Sequence, residues 1–74
     1  GDRAAIVQRA RAAFSGYNPR VIVFGHTHQP CNRELEGVLM FNPGSPLDPR
    51  GGYGPSCGLL ILNGPAVTGE IISL

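Results

Sequence analysis

Apolar residues in the first part of the chain recur at helical spacing: Ile6, Val7, Ala10, Phe14 and Tyr17 fall near one stripe, while Arg3, Gln8, Arg9 and Arg11 fall largely elsewhere. Asp2 can cap this helix, which is expected to run to about Phe14 and to stop at Ser15-Gly16. The alanines favour it, and Asn18-Pro19 makes a turn after it. An amphipathic helix of this kind must pack on something.

The pattern then changes. Arg20 to Phe24 reads Arg-Val-Ile-Val-Phe, an unbroken and mostly β-branched apolar run after the arginine. A run without alternation predicts a strand covered on both faces, as inside a layered α/β protein. One short helix supplies part of one covering layer, so further elements are expected outside this chain. Gly25 to Pro30 makes a sharp exit from the strand. Cys31–Leu35 and Val38–Phe41 flank Glu36-Gly37 and predict a tight hairpin. Asn42 to Pro46 interrupts the strand, and residues 46–56 form a Pro- and Gly-rich loop. Cys57–Leu62 and Val67–Ile72 flank Asn63-Gly64, the signal of a second hairpin with a type I′-like turn. The order is helix, buried strand, then two hairpins, about five strands in all. This predicts an α+β chain rather than alternating βαβ units.

Size limits what such a chain can do alone. Seventy-four residues make at most one small domain, which buries only roughly 60% of the surface its unfolded form exposes. A metal, a disulfide or a partner surface usually supplements a core of that size. Cys31 and Cys57 are two thiols, too few for a disulfide framework, and fit two reduced cysteines in strands of a cytoplasmic protein. All six basic residues are arginines, at positions 3, 9, 11, 20, 33 and 50, and the formal net charge is +1. They are dispersed, so no nucleic-acid-binding face is expected. No apolar run approaches the roughly 20 residues of a membrane span, and no signal-peptide pattern opens the chain. The chain begins with Gly1 rather than Met, as an excised fragment, a processed product or a cloning scar would.

His26 and His28 are the candidates for chemistry. They stand two apart where the buried strand ends. If the backbone stayed extended, their rings would point to one side. Two neutral imidazoles there suit borderline divalent metals such as Zn²⁺, Mn²⁺ or Fe²⁺, and loops at the carboxyl ends of strands are where α/β proteins place their sites. A His-x-His pair also occurs on solvated turns that hold no metal.

The order of motifs adds to the pair. Residues 21–28 (Val-Ile-Val-Phe-Gly-His-Thr-His), residues 39–45 (Leu-Met-Phe-Asn-Pro-Gly-Ser), Pro49-Arg50 and Asn63-Gly64 stand in sequence. Together they resemble the last third of bacterial and archaeal calcineurin-like metallophosphoesterases, across nearly the whole chain and most loosely in residues 1–16. The resemblance implies a four-layer α/β/β/α sandwich that holds two divalent ions, with Mn, Zn, Fe or Ni as the candidates. It implies that His26 ligates the second metal and His28 the first. A metal-held hydroxide would attack a phosphoester, the metals standing about 3.5–4 Å apart. The substrate that the resemblance implies is a small phosphoester, a phosphodiester before a monoester.

The chain departs from the family in one respect. The amino-terminal ligand segments, Asp-x-His, Gly-Asp-x-x-Asp and Gly-Asn-His/Cys-Asp with a further histidine, do not occur in it. The resemblance thus makes residues 1–74 a carboxyl-terminal segment that lacks the amino-terminal half and is inactive alone. That half, or self-association, would cover the sheet. Arg50 can contact a phosphate through its planar fork, and Ser45 can reach substrate, although Asn42 to Ser45 can equally be a structural turn. Cys31 can join the histidines as a third zinc ligand. Asp48 fits a solvated loop, and Tyr53 has no assignable role. The alternative function is a phosphoesterase-fold scaffold that binds protein partners without catalysis.

Overall fold

A computed structural model describes residues 3–25 and 27–74, Arg3 through its backbone alone. The expected Asp2 cap therefore lies outside the described residues. One helix, α1 (Arg3–Ala13), precedes five strands: β1 (Val21–Val23), β2 (Cys31–Leu35), β3 (Val38–Asn42), β4 (Ser56–Asn63) and β5 (Ala66–Ser73). The chain is α+β. No described helix is long and apolar enough to cross a membrane.

The strands form a three-stranded sheet in the order β1-β3-β2 and a separate β4-β5 ribbon. β2 and β3 are antiparallel, with Leu35 opposite Val38. The two turn residues between them, Glu36 and Gly37, have φ of 53° and 78°. Positive φ at both central positions is the type I′ turn, whose twist matches that of the strands it joins. The β4-β5 turn departs from expectation. Asn63 pairs with Ala66, so Gly64 and Pro65 are the central residues. Gly64 has φ 59°, and proline's ring holds its φ negative. Positive φ at the first central residue alone is the type II′ pattern.

β1 runs parallel to β3, with Val21, Ile22 and Val23 opposite Leu39, Met40 and Phe41. Hydrogen bonds from Leu39 N to Arg20 O (2.9 Å) and from Phe24 N to Phe41 O (3.0 Å) extend this ladder at both ends. The pairing decides where the site lies. Two parallel strands end at the same edge, so the loop after β1 and the loop after β3 emerge side by side.

Directly paired residues share a face of a sheet. Ile22, Cys31, Val38 and Met40 occupy one face and form the core with Val7 of α1, flanked by Ala10, Phe24 and Leu35. The other face presents Phe41 and Asn32 to the β4-β5 ribbon. Asn32 Nδ2 donates to Gly69 O at 2.7 Å, and Phe41 lies against Gly58 and Gly69. The layers are thus helix, sheet and ribbon.

Within this chain β1 is covered on one face: Ile22 is buried beneath α1, and Val23 is 57% exposed on the face for which the sequence predicts cover from outside these residues. The ribbon packs through β5 on β2 and β3, and its turn meets the residue before β1, where the Arg20 guanidinium donates to Pro65 O. The helical stripe is likewise buried only in its first half. Val7 is covered, whereas Phe14 and Tyr17 are exposed and meet each other edge to face, with centroids 6.0 Å apart. Gly16 is not among the glycines with positive φ. The helix closes instead through short turns, Phe14 N to Arg11 O and Ser15 N to Ala12 O.

Candidate functional site

The site is built from the two loops that leave the parallel pair. The first carries Thr27, His28 and Gln29; His26 lies outside the described residues. The second runs from Pro43 to Pro55, after β3. Asn42, the last residue of β3 and 1% exposed, joins them. Its Nδ2 donates to Thr27 Oγ1 (3.1 Å), and its Oδ1 accepts from Gly44 N (3.0 Å). Thr27 Oγ1 also accepts from Gln29 N at 3.2 Å. Each half of one buried amide therefore fixes one loop, as a buried polar group requires.

Gly44 starts the second loop with φ 81°. A Cβ there would collide with Ser56 Oγ, which donates to Pro43 O at 2.9 Å. Ser56 N donates to Ser45 O at 3.0 Å, and Ser45 Oγ accepts from Asp48 N at 2.8 Å. Ser45 thus shapes the turn that presents Asp48.

Asp48 then meets the first loop. His28 Nδ1 lies 2.7 Å from the main-chain oxygen of Asp48 and 3.3 Å from its Oδ2. A carbonyl oxygen can only accept, so Nδ1 carries a proton, and in the neutral imidazole Nε2 then keeps its lone pair. His28 has φ 60°, a left-handed conformation that costs about 1–3 kcal/mol for a residue other than glycine. Arg50 N, which donates to His28 O at 3.4 Å, helps to hold it. The extended backbone that would send both rings to one side is therefore not kept at His28.

The Asp48 carboxylate also accepts from Arg50 Nη2 at 2.9 Å. The Arg50 hydrogen bond and charge, with a smaller contribution from His28, hold the Asp48 carboxyl below its ordinary range despite some desolvation. Asp48 is exposed, as a solvated loop residue would be, but it is bonded on two sides. Sequence reasoning missed this role, and that of Asn42. Asp48 carried no motif, and Asn42 stood in the motif of residues 39–45 with no role of its own beyond a turn.

The metal question turns on donor chemistry. Metal-ligating histidines characteristically donate their other ring N–H to a carbonyl or carboxylate, which fixes the tautomer. His28 has that arrangement, with Nε2 left to bind, and fits a divalent cation as one ligand. Cys31 does not join it: the side chain is buried in the core beside Met40 and Val38. Among the described residues no three His, Cys, Asp or Glu side chains converge on one point. Arg50 and Ser45 stand on the same loop as Asp48, Arg50 exposed and Ser45 half-buried.

Comparison with known proteins places the chain in a family. A probable metallophosphoesterase from Methanothermobacter thermautotrophicus is 48% identical over 52 residues, which is 70% of this chain and 30% of the relative. Phosphodiesterase YfcE from Escherichia coli is 45% identical over 40 residues, 54% of this chain and 22% of the relative. The chain thus spans less than a third of either relative. No solved structure matches it at comparable significance. The profile of the calcineurin-like phosphoesterase superfamily domain matches residues 1–64. With most of its length inside that match, the chain belongs to the calcineurin-like phosphoesterase superfamily.

Proposed function

We propose that the chain supplies His26 and His28 to a two-cation centre that hydrolyses phosphoesters, phosphodiesters before monoesters. The observation that carries this is the 2.7 Å contact of His28 Nδ1 with the Asp48 carbonyl, which in the neutral imidazole leaves Nε2 to ligate. Bound divalent ions, Mn²⁺, Zn²⁺, Fe²⁺ or Ni²⁺, would supply Lewis acidity toward the phosphoryl oxygens and would acidify water. The chain's own residues orient the ligand ring, through Asp48 and Asn42, and present Arg50 and Ser45 on the adjoining loop for substrate. Names of the relatives support a phosphodiester substrate.

The remaining ligands would come from an amino-terminal half, and the missing covering layer from that half or from self-association. The exposed Val23, Leu59, Ile61 and Leu62 support such cover. The 74 residues alone would then turn nothing over. Free Cys31 and Cys57 support a cytoplasmic location.

The test is His28→Gln in the product of the complete reading frame, with bound metal measured by mass spectrometry and rate measured on bis(4-nitrophenyl) phosphate. Metal affinity and rate should both fall at least about 10-fold. Unchanged values for both would remove His28 from the centre. An unmutated protein that binds partners but neither metal nor ester would be the scaffold instead.

A further inference from the structure

We propose that Asp48 is a positioning residue that locks a cation ligand and a phosphate-binding guanidinium into one geometry. It rests on the phosphoesterase function proposed above and adds a residue that no sequence motif marks.

Three contacts meet at Asp48. Its amide donates to Ser45 Oγ at 2.8 Å, which fixes the turn. Its main-chain oxygen, 2.7 Å from Nδ1, holds the His28 ring. Its Oδ2 stands 2.9 Å from Arg50 Nη2 and 3.3 Å from His28 Nδ1, so both nitrogens address the same oxygen. The hydrogen bond from Arg50 N to His28 O closes the arrangement through the backbone.

Folding stability does not explain this arrangement. The Asp48 and Arg50 side chains are 61% and 58% exposed, and exposed ion pairs contribute little to stability. What the contact does is orient. A guanidinium has five N–H donors, and this carboxylate contact uses one of them. A planar fork held at one corner keeps donors for a phosphoryl group, whose geometry it matches. A freely rotating Arg50 would lose rotamer freedom on binding substrate, whereas one already held by Asp48 loses less. Asp48 therefore acts on substrate through Arg50, and on the cation through His28.

The two routes separate in Asp48→Asn, which keeps the main-chain carbonyl and removes the charge. In the full-length protein we expect the KM for bis(4-nitrophenyl) phosphate to rise about tenfold, the lower end of what supporting residues usually cost. The kcat and the Mn²⁺ affinity should stay within about twofold, because nitrogen-15 shifts should show His28 still protonated at Nδ1. In an Arg50→Ala background the Asp48→Asn substitution should add nothing, since the two residues act as one unit. A KM that does not move, or that moves by the same factor without Arg50, overturns the proposal. If the unmutated protein hydrolyses no ester, the phosphoesterase function fails by itself. Asp48 is then judged by the Arg50 Nε–H resonance titrated with phenyl phosphate. A shift that Asp48→Asn weakens supports the positioning role; no shift, or one that Asp48→Asn leaves alone, overturns it.

Discussion

Phe41 on β3 fills the space that a side chain at Gly69 on β5 would need. A Cβ at Gly69 would stand 2.6 Å from Cε1 of the ring, and one at Gly58 on β4 would stand 2.6 Å from Cζ. Gly69 pairs with Leu60, two residues from Gly58, so the two glycines are diagonal neighbours on one face of the ribbon. Together they make the flat patch on which Phe41 lies, and the ring is 3% exposed. Gly69→Ala and Gly58→Ala should each lower stability by about 1–3 kcal/mol, the usual cost of overpacking. Urea unfolding of each variant gives the value. In a Phe41→Ala background the cost should shrink without vanishing, because the ring gives the closest contacts while Pro43 Cβ (2.9 Å from the Gly58 position) and Asn32 Oδ1 (2.8 Å from the Gly69 position) still crowd the added methyl. Equal costs with and without Phe41 would mean that strand propensity, not the ring, sets the glycine requirement.

Glu36 offers a gain in the opposite direction. It holds φ 53° at the first central position of the β2-β3 turn, where a residue with a Cβ pays roughly 1–2 kcal/mol for left-handed backbone. Asparagine tolerates that conformation, and Asn-Gly is the favoured type I′ pair. The contact given up is small, since Glu36 Oε1 lies 3.7 Å from Arg11 Nε and the Glu36 side chain is 70% exposed. Glu36→Asn should raise stability by about 1 kcal/mol. The urea midpoint should increase with an unchanged m-value. A lower midpoint would show that the charge beside Arg11, whose Nε has no hydrogen bond, matters more than the turn.

The same turn shows why much of the fold could be read from the sequence. Glu36-Gly37 and Asn63-Gly64 are local signals flanked by apolar strands; the first hairpin turns at its signal and the second one residue beyond it, at Gly64-Pro65. The type of the second turn was misread because Asn63-Gly64 resembles a type I′ pair, and only the register shows that Asn63 ends the strand. The parallel pairing of β1 with β3 was not legible. Nothing local to Val21–Val23 names Leu39–Phe41 as a partner, and only tertiary packing brings the segments together. The candidate site inherits that gap. His28 and Arg50 could be picked out by residue type, but their meeting at Asp48 depends on two loops leaving one sheet edge. The exposure of Val23 has the same origin, since the run of β-branched residues encodes an apolar environment without encoding which element supplies it.

Asn42 offers the sharpest test of how that sheet edge supports the loops. The side chain is almost wholly buried, and its donor and acceptor ends serve different loops, Thr27 Oγ1 and Gly44 N. Asn42→Ala removes both partners and leaves the Gly44 amide unsatisfied, at a cost of about 1–3 kcal/mol. Hydrogen exchange at the Gly44 amide should therefore accelerate, and the urea midpoint should fall. Asn42→Asp keeps an acceptor for Gly44 but, as a carboxylate, cannot donate to Thr27. Its Gly44 amide should stay protected, while the Thr27 hydroxyl must leave Gln29 O and turn its proton to the new carboxylate, which re-sets the loop that carries His28 and lowers the metal affinity of the full-length protein. The two substitutions thus divide one side chain into a structural half and a site-supporting half. Equal exchange at Gly44 in both variants would deny that division, because it would mean that the Gly44 amide is protected by the fold of the loop and not by Asn42 Oδ1.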